Sequence, residues 1–220
     1  MIKRAFDLVV ASLALVGLLP LLVAIAVLVK VTSPGPILFS QIRVGRGFGR
    51  FRMVKFRTLH PDSSPTAANA PEGAGVTGIG KTLRRWKLDE LPQLVNVLRG
   101  DMSLVGPRPE VPHYVEAFCA EYSEILTVRP GLTDPASIEF RHEEELLAPT
   151  TDPESLYRTV ILPRKLDLSV AYLRRSSLWT DVGVLARTAA AVMTGRGDVD
   201  LTVPQEDGDD YRAAHPRGPR

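Results

Sequence analysis

Two adjacent carboxylates, Asp89 and Glu90, sit in the run Arg84-Arg85-Trp86-Lys87-Leu88-Asp89-Glu90-Leu91-Pro92, the densest polar constellation in the chain. Neighbouring acids repel each other, and a fold tolerates them best beside cations or a metal ion. Arg84, Arg85 and Lys87 supply the first. Mg²⁺ would supply the second, because it takes hard oxygen ligands and often uses one or two carboxylates together with substrate phosphates. Spacing alone favours a plainer role, an acidic turn that complements the dipole of a helix beginning at Pro92. A second candidate is Pro107-Arg108-Pro109. The prolines stiffen the backbone on both sides of Arg108, and a rigidly held guanidinium suits bidentate phosphate binding or stacking on a base. A solvated arginine in a proline-rich turn fits the same residues. Lys55-Phe56-Arg57 adds further cations. The basic stretch interleaved with Phe39, Phe48, Phe51 and Phe56 has the make-up of a single-stranded nucleic-acid surface. Its position directly after an apolar segment favours anionic headgroups or a lipid phosphate. The histidines at 60, 113, 142 and 215 show no metal-ligand spacing, and nothing supports a Ser/His/Asp triad.

These groups must be positioned beside a strongly apolar N-terminal segment. From Ala5 to Val29, 21 of 25 residues are apolar, the exceptions being Asp7, Ser12, Gly17 and Pro20. One straight helix of that length would reach about 37 Å at ~1.5 Å per residue, enough for a ~30 Å hydrocarbon core. A cleavable signal peptide is a poor fit, since its apolar core is shorter and ends at small residues, whereas this run leads to Lys30 and Ser33-Pro34-Gly35-Pro36. Pro20 lacks an N–H and crowds the carbonyl four residues back, so a break is expected there. Two half-helices would enter and leave on the same side. Lys3 and Arg4 precede the run, and Lys30, Arg43, Arg46, Arg50, Arg52, Lys55 and Arg57 follow it, with no acid between Lys30 and Thr58. The positive-inside rule places both ends in the cytoplasm. A single-pass anchor is the simpler alternative.

The remainder reads as a soluble domain. The chain has 220 residues, 45% hydrophobic and 24% charged, with a net charge of +2. That excludes a wholly disordered protein and argues against bulk nucleic-acid binding. One cysteine, Cys119, excludes a disulfide scaffold and a thiol-bound zinc site. Ile37–Val44 and Phe51–Arg57 read as strands of a hairpin whose loop holds Gly45, Gly47 and Gly49. A second strand-like run follows those glycines, so they are not a dinucleotide fingerprint. His60–Gly80 reads as a long mobile loop. Leu83, Trp86, Leu91, Leu94, Val95 and Leu98 are expected in the core, with a turn around Asp89, a short helix over Pro92–Arg99 and Gly100 as its cap. Further helices are expected over Pro112–Leu126, Glu154–Leu173 and Leu178–Met193. In the last, Trp179, Val182, Leu185, Ala189, Val192 and Met193 form an apolar stripe suited to core or to a membrane interface. Glu143-Glu144-Glu145 reads as a solvated helix face, and the polar tail from Thr202 as disordered.

Taken together, these motifs resemble the bacterial sugar transferase family, and more narrowly its small monotopic polyprenol-phosphate phosphoglycosyl transferases. The resemblance runs from Lys3 to about Met193. It is carried by Lys3-Arg4-Ala5-Phe6-Asp7, Ser33-Pro34-Gly35-Pro36, Gln41-Ile42-Arg43-Val44-Gly45 and Met53-Val54-Lys55-Phe56-Arg57-Thr58. Its core is Leu88-Asp89-Glu90-Leu91-Pro92-Gln93-Leu94-Val95-Asn96-Val97-Leu98, continuing through Arg99-Gly100-Asp101-Met102-Ser103-Leu104-Val105-Gly106-Pro107-Arg108-Pro109, with Arg129-Pro130-Gly131-Leu132-Thr133 downstream. With no extra multi-helix module expected ahead of it, the chain resembles the minimal catalytic form.

The resemblance implies transfer of a sugar 1-phosphate from a UDP-sugar to undecaprenyl or another polyprenol phosphate, with release of UMP, as the first membrane step of an exopolysaccharide or other surface glycan. It implies Asp89 as nucleophile and magnesium ligand, Glu90 as its catalytic partner, and Lys55, Arg84, Pro107, Arg108 and Pro109 at the substrate. It further implies a re-entrant helix–break–helix at Pro20 in the bacterial inner membrane, with the catalytic domain on the cytoplasmic face. The expected fold is α+β and helix-dominated: a small β-hairpin element and amphipathic helices on the N-terminal anchor. The expected segments are 1–30 as anchor, 31–200 as catalytic domain and 201–220 as tail. The expected partners are the UDP-sugar, polyprenol phosphate and membrane lipids, with no nucleic acid; homo-oligomerisation is left open. Three departures stand out. Leu19 precedes Pro20 where relatives often have serine, and Thr133-Asp134-Pro135-Ala136-Ser137 stands where many continue Thr-Gly; Lys87 also replaces a common small polar residue. The rival reading is a membrane-tethered scaffold or regulatory protein that binds anionic lipid or nucleic acid. A third keeps the site but hydrolyses the nucleotide sugar.

Overall fold

The apolar run forms two helices, α1 (Ile2–Gly17) and α2 (Leu19–Thr32), bent by 61° to one another in the computed structural model, which describes residues 2–60 and 75–194. Most of the expected loop and the whole of the expected tail lie outside the described residues. The joint is Leu18, with φ −90° and ψ 0°, two residues ahead of Pro20. Pro20 occupies the first turn of α2, where its missing N–H leaves no helical bond unmade. Among the described residues no single helix is long and apolar enough to cross a membrane; the bent pair passes that test together by length and composition.

One side of this pair is fastened to the rest of the chain. Asp7 is buried and accepts hydrogen bonds from Ser103 Oγ at 2.9 Å and Leu104 N at 3.1 Å. Lys3 donates to the Val105 carbonyl at 3.0 Å and pairs with Asp181. Arg4 donates to the Val97 and Leu98 carbonyls at 2.7 and 3.1 Å, at the C-terminus of α4 (Leu94–Arg99), where a cation complements the helix dipole. Lys3 and Arg4, read from sequence as a charged flank, are thus docking residues. Ile25 and Val29 of α2 pack with Phe56 and Leu83. The opposite side leaves Leu13, Val16, Leu19, Val23, Val27 and Val31 exposed.

The hairpin forms as expected. Strands β1 (Leu38–Val44) and β2 (Arg50–Phe56) pair antiparallel, from Leu38 opposite Phe56 to Val44 opposite Arg50. Their connection turns through Gly47 at φ +64°, a conformation that glycine adopts without strain. The basic stretch splits on folding: Arg43 and Arg57 are buried, whereas Arg46, Arg50 and Arg52 are exposed. Arg57 holds the end of the anchor, donating to the Ser33 and Pro34 carbonyls at 2.8 and 2.5 Å.

Helix α3 (Gly78–Arg85) is capped by Thr77, whose hydroxyl accepts from Gly80 N at 3.0 Å. A 3₁₀ turn, Leu88–Gln93, leads into α4. Pro92 therefore lies in this tighter entry turn, and the α-helix starts two residues later than expected. Gly100 caps it at φ +94°. Asn96, fully buried, fastens α4 to β2: its Oδ1 accepts from Val54 N at 3.1 Å and its Nδ2 donates to the Arg52 carbonyl at 2.8 Å. Trp86, expected in the core, is 39% exposed beside the left-handed Lys87.

A second sheet was not foreseen. Strands β3 (Ser103–Val105) and β4 (Gly131–Thr133) pair in parallel, Ser103 opposite Gly131 and Val105 opposite Thr133. The backbones cross so closely that a Cβ on Gly131 would lie 2.2 Å from Gly106 N and O. At three residues each, these strands are too short for alternation to reveal them.

The C-terminal half is helical: α5 (Pro112–Ala117), α6 (Cys119–Ile125), α7 (Pro135–Glu139), α8 (Glu143–Leu147), α9 (Pro153–Leu156), α10 (Leu162–Arg174) and α11 (Leu178–Thr194). The helix expected over Pro112–Leu126 is two, because Phe118 leaves helical geometry at φ −119°, ψ 39°. The helix expected over Glu154–Leu173 widens into a π turn at Tyr157–Ile161, where Pro163 has no N–H for the Thr159 carbonyl. Tyr114, Tyr122, Ile125, Phe140, Tyr157 and Leu166 form its core. Along α11, Asp181, Val184 and Ala191 are buried, whereas Trp179 is 86% and Met193 74% exposed, so much of the predicted stripe faces outward. Glu143 is not merely solvated: it pairs with Lys165, whose Nζ lies 5.6 and 5.0 Å from the Phe140 and Tyr157 rings.

Candidate active site

Asp89 and Glu90 face a cleft of about 980 Å³ from the 3₁₀ turn between α3 and α4. Both carboxylates are buried, at 6% and 8% exposure, yet their surroundings differ. Glu90 is held by a fork from Arg108, with Nη2 to Oε1 at 2.5 Å and Nη1 to Oε2 at 3.2 Å. Lys55 Nζ stands 3.5 Å from the same Oε1. Burial alone would raise the pKa of Glu90, but Arg108 and Lys55 outweigh it and keep the carboxyl well below its usual range. Asp89 has no such fork, and its buried Oδ1 has no hydrogen-bond partner. Burial, reinforced by the Glu90 charge, pushes its pKa from 3.8 up to about 6, against the pull of Lys55, Lys87 and Arg84. Two carboxylates adjacent in sequence are thus one locked anion and one under-satisfied acid, ionised at neutral pH. Burial draws the Lys55 ammonium below its ordinary range while Glu90 pulls the other way.

Other sequence-predicted groups fall around this pair. Arg84 lines the cleft and donates from Nε to Thr58 Oγ1 at 3.0 Å. The prolines flanking Arg108 are buried, and their carbonyls are tied: Pro107 accepts from Gly131 N at 2.9 Å and Pro109 from Arg43 Nη1 at 3.4 Å. This anchors the Arg108 backbone from both sides. Pro20, at the anchor's bend, does not line the cleft.

Three contributions were missed. Asp134 accepts from Arg108 N at 3.3 Å and caps α7 through Ser137 N at 2.7 Å, so the departure at Thr133-Asp134 ties down the Arg108 backbone. Its signal was present, because Asp-Pro followed by Ser is a helix start. Arg43, Glu110 and Tyr157 form a buried network beside the site, with Arg43 Nη1 to Glu110 Oε1 at 2.6 Å and Tyr157 OH to Glu110 Oε2 at 2.8 Å. Arg141 is buried in the cleft wall, donates to the Arg85 carbonyl at 3.0 Å, and has an unpartnered Nε. Nothing in the spacing linked these residues, since they come from separate elements.

Two consequences concern stability. Asp134→Ala removes a helix cap and an acceptor, with an expected loss of about 1–2 kcal/mol measured by denaturant titration, largely restored in Asp134→Asn. For Asp89, the folded pKa of about 6 exceeds the ordinary 3.8, so the unfolded chain holds fewer protons between these values. Its contribution therefore becomes unfavourable as pH rises through that window. Without divalent cations, Asp89→Asn is expected to be more stable than wild type at pH 8, by on the order of 3 kcal/mol, and equal to it below pH about 4. Thermal midpoints at the two pH values measure this.

Among the described residues there is no cluster of three or more His, Cys, Asp or Glu side chains able to hold a metal by themselves. The unpartnered Asp89 oxygen is one hard donor, which suits an ion whose remaining ligands come from a phosphate substrate and water.

A family model described as bacterial sugar transferase matches residues 1–195. The chain is 39% identical over 197 residues to a UDP-glucose:undecaprenyl-phosphate glucose-1-phosphate transferase of Caulobacter vibrioides, covering 87% of this chain and 70% of that protein. It is 37% identical over 201 residues to a UDP-N-acetylgalactosamine-undecaprenyl-phosphate N-acetylgalactosaminephosphotransferase of Aeromonas hydrophila, covering 89% of this chain and 44% of that protein. It is 32% identical over 212 residues to the exopolysaccharide production protein ExoY of Sinorhizobium fredii, covering 89% and 87%. The chain thus spans less than half the length of the Aeromonas protein.

Proposed function

The chain belongs to the bacterial sugar transferase family, and from that premise we propose that it transfers a sugar 1-phosphate from a UDP-sugar to polyprenol phosphate, releasing UMP. The relatives' names supply the substrate classes, and the exopolysaccharide protein supports a place at the start of surface-glycan assembly. The single observation that carries the chemistry is the asymmetry of the acid pair: Asp89 keeps an unpartnered buried oxygen while Arg108 and Lys55 occupy Glu90.

In this reading the Asp89 carboxylate attacks the β-phosphorus of the UDP-sugar. A bond forms between Asp89 oxygen and phosphorus, the bond from that phosphorus to the bridging oxygen breaks, and UMP leaves with the electron pair. The lipid phosphate oxygen then attacks the same phosphorus, the acyl-phosphate bond breaks, and the Asp89 carboxylate is regenerated. An anion attacking an anion needs positive charge already in place. Arg84, Arg141 and Lys55 line the cleft and supply it. Glu90 holds Arg108 and Lys55 in position, so the cations do not collapse onto Asp89. Mg²⁺ held by Asp89 would screen the diphosphate and polarise its oxygens.

The bent pair α1–α2, with its exposed apolar side, suits a re-entrant anchor in the bacterial inner membrane, and the exposed Arg46, Arg50 and Arg52 favour the cytoplasmic face. In this reading the anchor would hold the site near the plane where a lipid phosphate resides. The testing experiment measures UMP release from a panel of UDP-sugars with undecaprenyl phosphate, with Mg²⁺ or with EDTA. UMP release beyond one equivalent per protein is expected to require the lipid phosphate, and all release to require Mg²⁺. Multiple turnovers without lipid would make the protein a hydrolase, and salt-sensitive lipid binding with no UMP from any donor would favour the tethered-scaffold reading.

A further inference from the structure

The cleft does not stop at the acid pair. Its wall continues to Val10, Ala14 and Leu18 of α1 and to Leu185, Ala189 and Val192 of α11. The two helices are joined near their starts by the Lys3–Asp181 pair, and Tyr172 OH donates to the same aspartate at 2.5 Å. Ala11 and Val184 belong to one apolar core. No charged side chain of α1 or α11 lines the cleft. The one hydroxyl on the α11 wall, Thr188, is already satisfied, by the Val184 carbonyl at 2.8 Å and Thr133 Oγ1 at 2.7 Å. This branch offers a nucleotide or a sugar nothing to hydrogen-bond.

The lining is mixed in character. It includes Leu18, at the bend of the anchor and next in sequence to the exposed Leu19. It also includes Arg108 and Lys55, together with Leu132 and Thr133, whose hydroxyl meets Thr188 of α11. A matching occupant is apolar along its length, anionic at one end, and able to enter from lipid without crossing water. We propose that the branch between α1 and α11 seats the first isoprene units of a polyprenol phosphate and directs its phosphate toward the Arg108–Lys55 end of the cleft. This rests on the transfer reading above and adds to it the path of the lipid chain.

The test compares Ala189→Trp, at a position in the cleft lining, with Ala190→Trp, one position further along α11 and outside that lining. Ala189→Trp is expected to raise KM for undecaprenyl phosphate about tenfold, and far less for a five-carbon isoprenyl phosphate. Ala190→Trp is expected to follow wild type with both acceptors. Identical chain-length dependence in the two variants overturns the proposal. A second readout needs no substitution: a polyprenyl phosphate carrying a diazirine on its first isoprene unit, photolysed with the full-length protein in lipid nanodiscs. Labelling of peptides containing Val10–Leu18 or Leu185–Val192 supports the seat, and labelling confined to α2 or to the hairpin overturns it. A wild-type protein that releases no UMP contradicts the transfer reading, while the photolabelling still decides the seat.

Discussion

Asp89→Asn is expected to lose UMP release by at least about 10³-fold while retaining a folded, lipid-associated protein. The substitution keeps the shape of the side chain and removes only its charge and nucleophilicity. Because the ionised Asp89 is held in a buried, under-satisfied position, the variant is also expected to become the more stable protein as pH rises above about 4 in the absence of divalent cations, with the full margin above pH about 6. Loss of activity together with a gain of stability is a signature that a structural role for Asp89 would not produce. Glu90→Gln is expected to behave differently. Its carboxylate is bound by Arg108 and Lys55 and does not face phosphorus as a free nucleophile, so turnover slows through disordered cations. Single-turnover UMP release separates the two variants, and full turnover by Asp89→Asn would refute the assignment.

Arg108→Met is expected to damage stability and activity together. It strips a bidentate partner from a buried carboxylate, and leaving one member of such a pair costs about 3–5 kcal/mol, moderated here by Lys55. It also removes a cation from a site that handles two anions, with an expected activity loss on the order of 10²-fold. Adding Glu90→Gln removes the stranded charge, so the double variant should regain most of the stability and little of the activity. Thermal midpoints and UMP release on the four proteins of the cycle measure both. Arg108→Lys keeps the charge without the fork and is expected to fall between. An Arg108→Met protein with wild-type turnover would remove Arg108 from the chemistry.

The hairpin, the break in the anchor and the turn carrying Asp89 were legible because each has a local signal: glycines between alternating strands, a proline in an apolar run, and an acid pair before Pro92. The division of roles between Asp89 and Glu90 was implied only by family resemblance. It depends on where Arg108 lies, and that position is set by contacts with Gly131, Asp134 and Arg43 from three other segments. Asp134 illustrates the gap. Its capping role follows from Asp-Pro-Ala-Ser, but its bond to the Arg108 backbone arises only when β3 and β4 pair. The charges flanking the anchor misled in a related way. Lys3, Arg4, Arg43 and Arg57 count as surface charge in a linear tally, yet they reach carbonyls or acids of distant segments. Trp86 and Trp179 were assigned from periodicity to an apolar face, and both are exposed, because spacing defines a face without saying what covers it.

The bond between Asp89 and phosphorus can be observed directly. Wild-type protein mixed with a UDP-sugar and Mg²⁺ in the absence of lipid phosphate, then quenched in acid and digested, is expected to yield a peptide containing Asp89 heavier by one sugar phosphate. Chasing with undecaprenyl phosphate before the quench should remove that mass. An unmodified Asp89 peptide from an enzyme that turns over under the same conditions, or the added mass on another residue, would contradict the account.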